Sequence, residues 1–238
     1  MEAKNINFSY EKKQVIYDIS LKFDQGITAL IGPNGSGKST ILKILSGQIK
    51  NYQGIIEYDH KDIKYLSISK KSRLLSYFNQ REQIYGLISV RSIFEMSNIQ
   101  NIDYFKYLDY FDLTDKLDLP FNQLSGGQQQ VILVLAVLCE QTPYVYLDEP
   151  FNNLDPLYKE SLVKLIKNSD QHFFIVDHDL DTLAILADNI LLYKDGRIVE
   201  SGSTEILNED NLKKVFGTEF KIYQDDSGNK RLIQSLRV

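Results

Sequence analysis

The chain has 238 residues, of which 43% are hydrophobic and 25% are charged, the balance of an ordinary globular protein. Its formal net charge is −5, from 27 basic and 32 acidic residues, and it has no basic cluster of the kind expected for a polyanion surface, which disfavours a nucleic-acid partner. The single cysteine, Cys139, excludes an intramolecular disulfide, so nothing suggests an oxidising compartment.

The chain carries no obvious targeting or membrane segment. The stretch MEAKNINFSY lacks the basic segment and apolar core of a signal peptide. No apolar run approaches the roughly 20 residues that are needed to span a bilayer. We therefore expect a cytosolic chain whose membrane contact, if any, is made through a partner.

Residues 5 to 31 predict strands. NINFSY and YDISLKF alternate between apolar and polar residues, and a turn at Gln25-Gly26 precedes the apolar run ITALI. After a glycine-rich loop, STILKILSG has helical spacing and ends at Gly47. GIIEYD and RLLSYF indicate two further strands.

The hydrophobic period becomes helical from about Val90 to Cys139. RSIFEMSNI, YFKYLDYF and GGQQQVILVLAVLCE all favour helices, and strand signals disappear. This block therefore predicts a helical insertion in an α/β domain.

Strands and helices then alternate again. YVYL predicts a buried strand, and DPLYKESLVKLIKN predicts a helix with Asp155 as its cap and Pro156 at its first position. HFFIVD, LDTLAILAD and NILLYKDGRIVES predict a strand, a helix and a hairpin that turns at Asp195-Gly196. The tail predicts a short helix, NLKKVFG, and two strands around Asp226-Ser227-Gly228. Alternating elements imply an α/β fold with a mostly parallel sheet.

The stretch GPNGSGKST matches the phosphate-binding pattern G-x-x-x-x-G-K-[ST] between a strand and a helix. Glycines let backbone N–H groups turn toward an anion, and the helix points its positive end at the same phosphates. Lys38 supplies a charge to the β and γ phosphates, and the Ser39 hydroxyl can ligate Mg²⁺. The alternative is a glycine-rich turn with a solvated lysine. The predicted nucleotide-binding residues of this loop are Asn34, Gly35, Ser36, Gly37, Lys38, Ser39 and Thr40.

YVYLDEP ends an apolar strand with two carboxylates. Asp148 can hold Mg²⁺, and Glu149 can polarise an attacking water. By itself this pattern is equally consistent with two solvated acids at a strand end. Its pairing with the phosphate loop favours the metal site.

LSGGQ opens the long apolar helix with a serine and two glycines. Their exposed amides and the helix terminus predict a second anion-binding surface. Two phosphate-binding surfaces in one chain indicate a head-to-tail pair of chains, in which each chain completes its partner's nucleotide site. The residues predicted to act in trans are Ser125, Gly126, Gly127 and Gln128.

GPNGSGKST, LSGGQ and YLDEP, in this order, resemble the ATP-binding subunits of ABC transporters along nearly the whole chain. The resemblance implies a P-loop NTPase (RecA-like) core with a mostly parallel sheet, an antiparallel β region and an inserted helical subdomain. It implies one ATPase domain, 1–238, in which 1–83 and 140–238 form the core and 84–139 the helical signature subdomain. It also implies ATP and Mg²⁺ as ligands, a homodimer and integral membrane permease subunits as partners.

The resemblance assigns roles to four further residues. Gln80 in SYFNQ resembles the glutamine that senses Mg²⁺ and faces the membrane partner, and Asp155 in NNLD the aspartate that communicates across the dimer. His178 in IVDHD resembles the histidine that contacts the γ-phosphate, although its pattern alone favours a core histidine. Tyr10 resembles the aromatic on which adenine stacks, although its position alone favours the core.

Some positions depart from the family's pattern. The residues after LSGGQ are usually basic at two places where this chain has Gln129 and Val131, and the usual SALD is NNLD, with Asn152 and Asn153. These changes leave the predicted chemistry intact.

SISKKSRLLSYFNQ, LISVRSIFEM and the tail from NLKKVFG onward resemble the ATPases of importers for ferric siderophores, haem and cobalamin. The short helical block between Gln80 and Leu124 is most similar to the cobalamin branch. This implies an importer subunit on the cytoplasmic face of the cell membrane, beneath a permease that an extracytoplasmic binding protein supplies. The alternatives are an exporter subunit and a non-transport ABC ATPase acting on ribosomes or DNA, while LSGGQ disfavours a nucleotide kinase.

Overall fold

The structure is a computed structural model that describes residues 1–23, 26–79, 84, 86–96, 103–226 and 228–235. The strands are β1 (Glu2–Tyr10), β2 (Lys13–Lys22), β3 (Ile27–Ile31), β4 (Gln53–Tyr58), β5 (Lys61–Asp62), β6 (Leu75–Asn79), β7 (Tyr144–Asp148), β8 (His172–Val176), β9 (Asn189–Lys194), β10 (Arg197–Gly202), β11 (Phe220–Gln224) and β12 (Lys230–Gln234). The α-helices are α1 (Lys38–Leu45), α2 (Ile68–Leu74), α3 (Val90–Met96), α4 (Phe105–Tyr110), α5 (Gly126–Cys139), α6 (Pro156–Lys167), α7 (Leu180–Leu186) and α8 (Glu209–Phe216).

The main sheet of the described residues has the strand order β10-β9-β3-β8-β7-β6. All its pairs are parallel except β9 with β10, which confirms the predicted α/β fold and mostly parallel sheet. Every residue of β3 and β7 is buried. Strands covered on both faces have continuous apolar sequences, which explains ITALI and YVYL.

A second, antiparallel sheet has the order β2-β1-β4-β5. Its inward residues, among them Ile6, Ile19 and Ile56, share an apolar cluster with the buried residues of α1. The same cluster includes Tyr146 and Phe174 of the main sheet. Helix α1 therefore packs between the two sheets, which fixes the end of the glycine-rich loop that precedes it.

The helical block packs on the main sheet around α5. Val131, Ile132, Val134 and Leu135 of α5 are fully buried in one apolar cluster that also contains residues of α3, α4, β3 and β8. With 14 residues, α5 is the longest α-helix of the described chain. None of the helices in the described ranges is long and apolar enough to cross a membrane.

The tail packs against α7 as the hairpin β11–β12. The backbone N–H of Leu232 donates to Asp181 Oδ1 at 2.7 Å, and Arg231 lies 3.7 Å from the other oxygen of the same carboxylate. Lys230 Nζ donates to the carbonyl of Thr204 at 2.7 Å. The predicted helix and two strands of the tail are confirmed, although Ser227 of their turn lies outside the described residues, as does Gln25 of the earlier turn.

The local signals for helix ends and turns are confirmed. Asp155 Oδ1 accepts the N–H of Tyr158 at 2.9 Å, so it caps α6 as predicted. Gly47 follows α1 with a φ of 73°. Gly196 has a φ of 76°, and a Cβ there would lie 2.2 Å from the Val15 carbonyl oxygen, so this turn accepts only glycine.

The expectation that RLLSYF is a strand throughout is wrong for its first two residues, Arg73 and Leu74. Helix α2 runs to Leu74, and β6 begins only at Leu75. The Ser67 side chain caps α2 by accepting the N–H of Lys70. The serine cap indicates the start of a helix, whereas the short apolar run in RLLSYF by itself suits either a helix or a strand.

Helix α6 provides a matched test of packing. Leu162 is fully buried in the core, whereas Leu157 on the same helix is 76% exposed. We expect Leu162→Ala to lower the free energy of unfolding by about 2–5 kcal/mol, because it leaves a cavity. Leu157→Ala is expected to change it by less than about 0.5 kcal/mol. Urea unfolding followed by circular dichroism measures both, and equal losses would contradict this packing.

Candidate functional site

The glycine-rich loop needs its glycines for two different reasons. A Cβ on Gly32 would lie 2.0 Å from the carbonyl oxygen of Tyr193 on the neighbouring strand. Gly35 and Gly37 have φ angles of 75° and 103°, which L side chains rarely adopt. The loop therefore packs tightly on β9 while its backbone turns around an open space.

Lys38 is buried at the first position of α1. Its Nζ donates to the carbonyl oxygens of Gly32 at 2.8 Å and Pro33 at 2.9 Å. Burial lowers the pKa of Lys38, while the carboxylates of Glu149 and Asp148 oppose that shift. The ammonium group is thus held at the loop, where an anion would stabilise its charge.

Two buried hydroxyls near the loop have no hydrogen-bond partner among the described residues. They are Ser36 Oγ within the loop and Tyr193 Oη, which would lie 3.2 Å from a Cβ on Gly37. A buried polar atom without a hydrogen-bond partner destabilises the folded state unless a ligand or water forms a hydrogen bond with it. Their place beside the inward-turning loop fits a polar ligand such as a phosphate chain.

Asp148, the last residue of β7, contacts the beginning of α1. Ser39 Oγ donates to Asp148 Oδ1 at 3.1 Å, and Tyr77 Oη donates to Oδ2 at 3.4 Å. Burial raises the pKa of Asp148, and these two hydrogen bonds oppose the shift. Hydroxyl and carboxylate oxygens suit Mg²⁺. The described ranges contain no group of three or more His, Cys, Asp or Glu side chains that could hold a metal ion.

Glu149 lies just beyond the end of β7 in an unusual backbone conformation. Its φ is 57°, and its N–H donates to the Val176 carbonyl at 2.7 Å. Its Oε2 accepts a hydrogen bond from Asn152 Nδ2 at 3.4 Å. A non-glycine residue at positive φ persists only where its surroundings hold it there, so the backbone of Glu149 is restrained by its neighbours.

His178 follows β8 with an exposed ring. Its side chain is 54% exposed, so the interpretation as a core histidine is wrong. The adjacent Asp177 is buried, and its carboxylate accepts the N–H groups of His178, Asp179 and Phe151 at 2.8, 3.0 and 3.1 Å. Burial raises the pKa of Asp177, and these hydrogen bonds oppose the shift. Asp177 thereby joins the His178 turn to the loop after Glu149.

Most of the predicted nucleotide residues line one cavity of about 580 Å³, together with Glu149 and His178. Val15 of β2 also lines it, which the sequence did not indicate. The lining residues are Val15, Asn34, Gly35, Gly37, Lys38, Ser39, Thr40, Glu149 and His178. Of the four residues predicted to be catalytic, which are Glu149, His178, Gln80 and Lys38, the structure gathers all but Gln80 around one space.

Ser36 and Asp148 are not among the lining residues, and Tyr10 and Gln80 fall outside this set for different reasons. Tyr10 is 49% exposed and makes an edge-on contact with Phe8, with ring centroids 4.7 Å apart, so the placement in the core is wrong. Tyr10 is not among the residues lining the cavity. Gln80 lies outside the described residues.

The LSGGQ segment forms a separate surface. Ser125 Oγ accepts the N–H of Gln128 at 3.3 Å, and Gln128 Oε1 accepts the N–H of Ser125 at 3.0 Å, a capping box that begins α5. A Cβ on Gly127 would lie 3.3 Å from the carbonyl oxygen of Asn153, so this segment adjoins the loop that ends at Asp155. None of the described residues predicted to act in trans, which are Ser125, Gly126, Gly127, Gln128 and Asp155, lines the cavity.

Two residues of α5 that the sequence analysis did not assign make structural contacts. Gln129, where the family pattern has a basic residue, donates from Nε2 to the carbonyls of Phe121 and Leu124 at 3.2 and 3.0 Å. Gln130 is buried and donates from Nε2 to the carbonyl of Glu149. The only sequence signal for Gln130 is a polar residue at the start of an apolar run.

Comparisons with known proteins give a consistent result. The chain matches the family described as "ABC transporter" over residues 16–152. It is 31% identical to the petrobactin import ATP-binding protein YclP of Bacillus subtilis (strain 168), over 95% of this chain and 96% of that protein. It is 28% identical to the hemin import ATP-binding protein HmuV of Bordetella avium (strain 197N), over 92% of each.

The fold is also similar to that of a solved structure. A nucleotide-free ATP-binding cassette from an ABC transporter superposes with a TM-score of 0.75 at 21% identity, covering 90% of this chain and 93% of that one. At this identity the likeness supports the fold alone. It agrees with the predicted P-loop NTPase architecture.

Asp177 provides a test of how the site is held. Asp177→Ala leaves three backbone donors without an acceptor, and we expect a loss of about 1–3 kcal/mol for each donor that stays buried. Hydrogen exchange at the amides of Phe151, His178 and Asp179 should accelerate. The control Asp170→Ala changes an exposed carboxylate and should leave these amides protected. Unchanged exchange in Asp177→Ala would contradict this bracing role.

Proposed function

Because this chain belongs to the ABC transporter family, whose ATP-binding subunits hydrolyse ATP to drive transport, we propose that it powers an importer for an iron chelate, either a siderophore or haem. The observation that carries the cargo class is the nearly full-length similarity to a petrobactin import subunit. This similarity includes the tail, so it extends beyond the shared nucleotide motifs. The hemin import relative supports the same class of cargo.

In the proposed mechanism, the phosphate chain of ATP occupies the cavity beside the loop. The amides of Asn34 to Thr40 and the ammonium group of Lys38 would neutralise its charge. The buried Lys38 supports this role, because burial lowers its pKa until an anion compensates. Ser39 and Asp148, in hydrogen-bond contact at 3.1 Å, would hold Mg²⁺. When bound, Mg²⁺ would supply positive charge against the β and γ phosphates.

Glu149 and His178 would act at the γ-phosphate end. Glu149 would orient or deprotonate the attacking water, and His178 would contact the γ-phosphate. Both side chains line the cavity that contains Lys38. The hydrogen bonds of the Glu149 backbone and of the Asp177 carboxylate support this assignment, because they fix both segments before a ligand arrives.

Hydrolysis would require two copies of the chain. Ser125, Gly126, Gly127 and Gln128 would bind the nucleotide of the partner, and Asp155 would communicate across the same interface. The separation of this surface from the cavity supports that arrangement, since a single chain leaves its second anion surface unused. Loss of the γ-phosphate would remove the charge that joins the two halves, and the dimer would open.

The opening of the dimer would drive the membrane partner. We place the homodimer at the cytoplasmic face of the membrane, beneath integral permease subunits that receive cargo from an extracytoplasmic binding protein. Gln80 would connect the nucleotide site with the permease. The names of the import relatives support permease partners for this chain.

The proposed role of Glu149 predicts a trapped dimer. Glu149→Gln preserves the shape but removes the base, so we expect ATP hydrolysis to fall by about 100-fold or more while ATP still binds. Light scattering with saturating Mg·ATP should then detect a dimer. Lys38→Ala is the matched control, because it should lose ATP binding and remain monomeric. A Glu149→Gln chain that binds ATP tightly yet stays monomeric would contradict the closed pair.

The proposed cargo predicts a specific uptake defect. Cells lacking this chain should lose uptake of labelled ferric siderophore or of haem but keep that of cobalamin. Restoring the wild-type chain should restore uptake, and Lys38→Ala should not. Loss of cobalamin uptake alone would contradict an iron-chelate cargo and indicate cobalamin instead. Unchanged uptake of all three, with altered efflux of another compound, would indicate an exporter.

A further inference from the structure

Gln130 connects two segments of the chain that have separate proposed roles. It lies five residues after Ser125, within the first turns of α5, and is only 8% exposed. Its Nε2 donates to the carbonyl oxygens of Glu149 at 2.9 Å and Pro150 at 3.1 Å. One amide group therefore joins the LSGGQ helix to the backbone that carries the proposed catalytic base.

The backbone of Glu149 is held from two sides. Its N–H donates to Val176 of β8, and its carbonyl accepts from Gln130 of α5. Its φ of 57° is unfavourable for a glutamate and depends on such restraints. A shift of α5 would thus change the position of the Glu149 carboxylate.

The two ends of this connection face different nucleotides. Under the proposed function, on which this inference rests, Ser125 contacts the ATP bound by the partner, and Glu149 acts on the ATP of its own chain. Five residues of α-helix span about 7.5 Å, and their backbone hydrogen bonds join Ser125 and Gln130 within one continuous helix. A displacement of Ser125 on binding one nucleotide can therefore be transmitted to Glu149 at the other nucleotide.

We propose that Gln130 is a positioning residue that couples the two ATP sites of the dimer. When the LSGGQ segment binds the partner's nucleotide, Gln130 changes the position of the Glu149 loop in its own chain. Hydrolysis at one site then depends on occupancy of the other. The group that transmits this dependence is the Gln130 side-chain amide.

The adjacent glutamine is a matched control. Gln129 also donates from its side-chain amide to two backbone carbonyls, but these belong to Phe121 and Leu124, on the N-terminal side of α5. Both side chains have the same size and chemistry. Only that of Gln130 contacts the Glu149 loop.

The test compares Gln130→Met with Gln129→Met in the full chain, at a concentration where ATP dimerises it. Methionine preserves length and removes the donor. We expect kcat of Gln130→Met to fall by about tenfold with KM for ATP unchanged, since positioning rather than binding is lost. The Hill coefficient for ATP should fall to about 1. Gln129→Met should keep the wild-type kcat, within about twofold, and the wild-type Hill coefficient.

Several results would overturn the coupling. A wild-type Hill coefficient of 1 would do so, as would a Gln130→Met chain with wild-type kcat and Hill coefficient. Equal losses of kcat in Gln130→Met and Gln129→Met would indicate general destabilisation instead of coupling. Gln130→Glu sets a carboxylate against the two carbonyls, so its kcat should fall further than that of Gln130→Met, and a smaller fall would contradict the role of the donor.

Hydrogen exchange separates this inference from the proposed function. The Gln130→Met chain should exchange the amides of Glu149 and Phe151 faster than the wild type, and Gln129→Met should not. A wild-type chain that hydrolyses no ATP would refute the proposed function. In that case faster exchange would still support the positioning role of Gln130, and unchanged exchange would overturn it.

Discussion

The parallel hydrogen bonding of β3, β8 and β7 is the constraint on which the rest of the site depends. Leu30 pairs with Val176, and Asp148 also pairs with Val176, so all three strands end at the same edge of the sheet. The segments that follow these strands carry the phosphate loop, His178 and Glu149. Because carboxyl ends of parallel strands meet at one edge, residues separated by more than a hundred positions in the chain line one cavity.

Buried charged groups in and beside that cavity favour a ligand that carries both negative and positive charge. Burial lowers the pKa of Lys38 and raises those of Asp148 and Asp177, so each charged form is disfavoured by its surroundings and stabilised by its hydrogen bonds or neighbours. In the proposed function, a polyphosphate and its metal ion would supply the missing counter-charges. Tight packing of Gly32 on Tyr193 keeps these groups in place before binding.

The loop between β7 and α6 links the parts of the molecule that must act together. Gln130 reaches it from α5, and Asp177 reaches it from the end of β8. A further ion pair, Lys159 with Asp179 at 2.7 Å, joins α6 to the cap of α7. The loop therefore contacts the LSGGQ helix and the histidine turn, and it ends at Asp155. A displacement at any of these segments must be accommodated by the others.

The sequence by itself determined the phosphate loop, the strand-end carboxylates, the Asp155 cap and the α/β order, because each depends on residues close together in the chain. It missed α2 and assigned the last two residues of that helix, Arg73 and Leu74, to a strand, because a short apolar run suits either element and only the packed structure selects the helix. Tertiary structure alone decided that His178 is exposed, that Val15 lines the cavity and that Gln130 and Asp177 hold the loop after β7. Those contacts join segments that are distant in sequence, and a buried hydrogen bond between such segments leaves no periodic pattern in either one.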